Sequence, residues 1–114
     1  AIIKEKIDMI EHFIQLETTL CDAYVKTKEW DKVLPLLSNK ALRYYSLSKQ
    51  NGYEINIEDF VSSVAQIFDE LKILDKDEFS KYRSKLSGFM ENLKQLQKYD
   101  NRILKIYEDA QVYI

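Results

Sequence analysis

Apolar residues recur at alternating intervals of three and four along the first part of the chain: Ile3, Ile7, Ile10, Ile14, Cys21 and Tyr24, with Glu17 on the same stripe. This period puts them on one face of a helix over roughly residues 2 to 28. Phe13, Leu16 and Leu20 widen that face. The pattern breaks at Lys28-Glu29-Trp30-Asp31, where Asp31 can cap a second helix. Pro35 falls in or beside the first turn of that helix, a position where a missing N–H costs little. Leu34, Leu37, Ala41, Tyr44 and Ser48 make its inward stripe, flanked by Val33, Tyr45 and Leu47. Asn51-Gly52 suits a left-handed C-terminal cap.

The third helix has an explicit start. Asn56 stands as N-cap, Asp59 follows three residues on, and Ile55 is placed to staple against Phe60. Phe60, Val64, Ile67, Leu71 and Leu74 face inward, and extending their heptad would bury Glu78 and Lys81. A new phase therefore begins with Phe79 and Tyr82, and Asp75 with Glu78 forms a second capping box that marks a boundary or kink. From there Phe79, Tyr82, Leu86, Phe89, Leu93, Leu96, Ile103, Tyr107 and Ala110 hold one heptad, interrupted by Asp100. The expectation is a single helix from about 76 to 112, about 55 Å long, packed along a neighbour as in bundles and coiled coils. Such a rod would project beyond its shorter companions and leave an apolar face to cover.

The fold class expected is all-α, an antiparallel bundle of three to four helices with a long C-terminal helix, as one domain over residues 1–114. Two glycines and one proline in 114 residues leave few turn residues for hairpins, which reinforces the helical reading. Charge adds an exclusion: 17 basic and 19 acidic residues are scattered along the chain, so no basic face points to nucleic acid. A lone cysteine, Cys21, excludes an internal disulfide and reads as a small core residue. No apolar run approaches the ~20 residues of a membrane span, so a cytoplasmic protein is expected, although a start at Ala1 without Met leaves a removed signal open.

Catalytic chemistry finds little purchase. His12 has Asp8 one turn before it and Glu11 beside it, but no nucleophile shares that turn and no HExxH pattern exists, so a surface histidine is expected. One histidine cannot build the paired Glu-x-x-His motifs of a di-iron bundle. Asp75, Asp77 and Glu78 lack the glycine and distal ligand of a calcium loop, and Gly52 and Gly88 are too isolated for a phosphate loop. The chain is read as a non-enzyme without cofactor or metal. Gly88 sits inside the last helix, where it either permits close packing or a bend or is simply tolerated at the surface. Glu17 and Asp100 each interrupt an apolar stripe, so each lies at an exposed edge, the arrangement expected, or meets a polar partner. An exposed Asp100 would make Tyr99, Ile103, Ile106 and Tyr107 a partly open apolar surface. Eight tyrosines fit either a binding surface or the composition of an AT-rich genome.

Leu20 through Arg43, with Ala23, the run Lys26-Thr27-Lys28-Glu29 and Trp30-Asp31, resembles the end of helix one and start of helix two in flagellar type III export chaperones of the FliT and FlgN kind. Leu93 to Tyr107, with Leu96, Asn101, Leu104 and Tyr107, is similar to the leucine-rich final helix of that family. The resemblance implies a chaperone that keeps an export substrate, such as a filament-cap or hook-associated protein, unassembled. It further implies a client held as an amphipathic helix in a groove at Tyr44, Tyr45 and their neighbours, covered by Leu96 to Tyr107. Partner-binding residues expected on this basis are Tyr44, Tyr45, Leu96, Tyr99, Ile103, Ile106 and Tyr107. Two rival readings are a self-assembling module that dimerises through the last helix, and a secreted or surface protein that binds a host factor.

Overall fold

A computed structural model describes residues 2–114 and, of the side chains, those from residue 4 onward, so the expected inward position of Ile3 lies outside the described residues. The chain is all-α: α1 (Ile2–Lys26), α2 (Trp30–Ser48), α3 (Glu58–Lys72), α4 (Lys76–Ser80), α5 (Arg83–Lys94), a 3₁₀ turn (Gln97–Tyr99) and α6 (Arg102–Gln111). Helix α2 is the centre. It packs against α1 on one side and α5 on the other, and α6 packs on α5 and α3. Among the described residues no helix is long and apolar enough to cross a membrane.

Helix α1 ends in a Schellman motif: the Lys28 N–H donates to Val25 O at 3.0 Å and the Glu29 N–H to Tyr24 O at 3.0 Å. Lys28 adopts the left-handed conformation this requires, at φ 56°. Asp31 is not the cap of α2, because the turn closes one residue early and Trp30 already starts the helix, which leaves Asp31 in its first turn. Trp30 is drawn in by burial, along with Val33, Leu34 and Leu37. Gly52 supplies φ 79° in the turn after α2, and the N-cap of α3 is Ile57 rather than the expected Asn56, which precedes it and accepts the Glu58 N–H at 3.1 Å in an Asx turn. Asp75 caps α4 by accepting the Glu78 N–H at 2.8 Å, which sets the expected boundary.

The single C-terminal rod is corrected. Tyr82 closes a tight turn onto Phe79 O, and the chain leaves α5 through the 3₁₀ turn to an extended Asp100 at φ −158°. Asp100 is a helix starter, with Oδ1 accepting the Arg102 N–H at 2.9 Å and Oδ2 accepting from the Arg102 guanidinium at 2.8 Å. Arg102 also donates to Ser62 Oγ and Glu58 O, tying the start of α6 to the start of α3. A straight rod would have left Ile103, Ile106 and Ala110 in water, whereas the fold-back buries all three. At ~1.5–3 kcal/mol for each large apolar side chain, that gain exceeds the hydrogen bonds lost at the breaks. Every apolar position of the expected heptad still faces inward, since Phe79, Leu86, Phe89, Leu93, Leu96, Ile103 and Ala110 are buried and Tyr82 and Tyr107 half-buried.

Gly88 is exposed, and a Cβ there would meet nothing within 4 Å, so it is a surface glycine rather than a bend. Gly88→Ala should raise stability by about 0.5–1 kcal/mol, measured by urea unfolding. Leu96→Ala should cost about 2–5 kcal/mol, whereas Leu104→Ala on the outer side of α6 should stay within about 0.5 kcal/mol. Equal costs would contradict the fold-back.

Candidate functional site

The residues expected to meet a partner do not form one surface. Leu96, Ile103 and Ile106 belong to the hydrophobic core, closed off by the turn at Asp100, so the open apolar surface expected around that residue does not exist. Tyr44 packs on Phe60 with ring centroids 5.1 Å apart, and burial raises its hydroxyl pKa. Tyr45 lies beneath the Lys49 ammonium, 4.7 Å from its ring centroid. Tyr99 sits nearby, its pKa lowered by a hydrogen bond with Ser48, with Lys98 and Lys49 adding to the effect. Tyr107 is turned to α5, its hydroxyl donating to Glu91 at 3.3 Å and its ring under Lys94 at 4.8 Å. With Lys98 5.1 Å over the Tyr99 ring as well, three of the four tyrosines carry a lysine on the ring face, which supports local cation–π contacts rather than a free aromatic surface.

Glu17 also differs from its expected exposed edge. Only 8% exposed, it accepts the Arg43 Nε–H at 2.6 Å across the α1–α2 seam. The Arg43 guanidinium simultaneously covers the Phe13 ring at 4.7 Å from its centroid. Charge pairing and ring stacking together fix the helix register here.

Two features remain that local packing does not account for. The first is a cleft of about 550 Å³ where α1 and α3 splay over α2, lined by Ile14, Thr18, Asp22, Lys40, Tyr44 and Phe60 among others. Lys40 is 4% exposed, yet no carboxylate lies within ion-pair distance among the described residues, and its ammonium stands 5.1 Å over the Phe60 ring. Desolvation lowers its pKa, opposed more weakly by Cys21, Asp22 and Glu17. The second is the outer face of α1. Met9, Phe13, Leu16 and Leu20 are 60, 40, 48 and 49% exposed, with Arg43 of α2 laid over the Phe13 ring at their edge.

These four α1 residues were visible in the sequence, but Phe13, Leu16 and Leu20 read there as the margin of the core. The missed signal is width. The stripe centred on Ile10, Ile14, Glu17 and Cys21 and the stripe of Met9, Phe13, Leu16 and Leu20 lie about 100° apart on the helix. One neighbour, α2, covers only the first.

Among the described residues no group of three or more His, Cys, Asp or Glu side chains could hold a metal ion. Comparison with protein-family models, with curated proteins and with solved structures finds no match.

The desolvated Lys40 side chain gives a pH test. Because the folded pKa of Lys40 lies below the unfolded value of ~10.4, the unfolded chain holds more protons between the two, and stability from this group rises with pH across that window. Lys40→Met should therefore match or exceed the wild type by up to about 1 kcal/mol at pH 7, with the gap closing toward pH ~10. A clear loss in urea unfolding at pH 7 would show that the ammonium is net stabilising.

Proposed function

We propose that this chain is a protein-docking module that holds an amphipathic helix of a partner against the outer face of α1, in the manner of a small helical chaperone. The carrying observation is the stripe of Met9, Phe13, Leu16 and Leu20, spaced four, three and four residues apart and open to solvent. That spacing is the seam of a coiled coil with one strand missing. A helix presenting anchors at i, i+3, i+4 and i+7 fits it, and Arg43, laid over Phe13, borders the seat. The export-chaperone resemblance names a client class for this seat, the C-terminal helical segment of a filament-cap or hook-associated subunit.

The test is calorimetric titration of such a segment into the purified protein. The expected outcome is a Kd of about 10 µM or tighter, weakened at least tenfold by Leu16→Glu with the far-ultraviolet circular dichroism unchanged. No heat with the wild type would remove the chaperone reading, and equal binding by Leu16→Glu would remove α1 as the seat.

A further inference from the structure

We propose that the cleft between α1 and α3 binds a small monocarboxylate with an apolar or aromatic body, the carboxylate pairing with the Lys40 ammonium. The site stands apart from the outer face of α1, since none of Met9, Phe13, Leu16 and Leu20 lines it.

The charge of the ligand follows from Lys40. Among the described residues every side-chain nitrogen sealed from solvent has a hydrogen-bond partner, and Lys40 Nζ has none, so the small accessible part of this 4% exposed residue includes its amino group. The cleft is the opening that Lys40 lines. Its contact with the Phe60 ring, 5.1 Å away, occupies one side of the ammonium and leaves N–H donors for an anion. No carboxylate of the described residues fills that place. Glu17 is taken by Arg43 at 2.6 Å, and Asp22 and Asp59, which also line the cleft, are exposed at its rim beyond ion-pair distance. An anion entering the cleft would therefore meet a cation that is poorly hydrated and unpaired, where attraction is screened less than at the surface.

The lining sets the rest of the ligand. Ile14 and Phe60 are buried and Tyr44 packs on Phe60, which makes an apolar bed beside the charge. Half-buried Thr18, Tyr44 and Ser63 bring hydroxyls from α1, α2 and α3. Thr18 already donates its own to Ile14 O at 2.7 Å, so Tyr44 and Ser63 are the donors for the second carboxylate oxygen. The two rim aspartates repel further negative charge, which selects a monoanion over phosphate. The volume of about 550 Å³ lies within the ~300–1,000 Å³ of small-molecule sites, and a second cleft of about 330 Å³ continues it past Tyr44 and Phe60.

The test follows backbone amide chemical shifts of the full chain during titration with phenylpropionate, with phenylpropanamide as the neutral isostere and inorganic phosphate as an anion without an apolar body. Phenylpropionate should bind with a Kd of about 1 mM or tighter, phenylpropanamide and phosphate at least tenfold more weakly. The shifts should centre on Thr18, Lys40, Tyr44, Phe60 and Ser63. Lys40→Met should bind acid and amide equally, with the circular dichroism of the wild type. If Lys40→Met does not fold, the wild-type preference for acid over amide and the shift map decide the matter. The proposal is overturned by equal binding of acid and amide to the wild type, by phosphate binding as tightly as phenylpropionate, by shifts centred elsewhere or absent up to about 10 mM, or by a folded Lys40→Met that still prefers the acid.

Discussion

The fold depends on burying α2 from several directions at once. Trp30, Val33, Leu34, Leu37, Ala41 and Leu47 are all sealed, and they spread over about 140° of the helix surface, an arc wider than a single partner helix encloses. α1 takes one side and α5 the other. Tyr44 and Lys40 bring in α3 through Phe60. Once α2 is enclosed, the remaining helices have little freedom in where they can pack. The breaks in the C-terminal third follow from this, because a chain that must cover α2 with α5 and still bury Ile103 and Ala110 has to turn between them.

This explains which features of the molecule could be read from the residue pattern. Periodicity located the helical class, the boundaries near Lys28, Gly52 and Asp75, and the inward side of nearly every helix, because burial of large apolar side chains dominates local choices. It did not locate the turn between Leu93 and Arg102. That segment contains no Gly or Pro, and the break conserves the heptad phase, so a continuous rod and a folded one share the same pattern. What distinguishes them is the competition of the Asp100 carboxylate for the Arg102 backbone amide and the tertiary burial that the turn permits. An aspartate within an apolar stripe was the one local sign, and it marked a helix start rather than an exposed edge.

The docking surface was hidden for a related reason. Apolar residues on α1 span an arc too wide for one neighbour, but a sequence does not say how many neighbours a helix has. Counting those neighbours moved the open apolar surface from the C-terminal end of the chain, where a long rod would have placed it, to the N-terminal helix. Glu17 shows the same dependence on tertiary context. Its charge is tolerated inside the seam because Arg43 arrives from α2 with both a hydrogen bond and a flat cation to lay over Phe13.

Cys21, 2% exposed and with its thiol pKa raised by burial, sits in this core. A thiol that is both inaccessible and protonated is a poor nucleophile, so alkylating reagents reach it only when α1 lifts from the bundle. The wild-type chain therefore contains its own chemical clock for that opening, with the labelling rate counting how often the longest helix detaches.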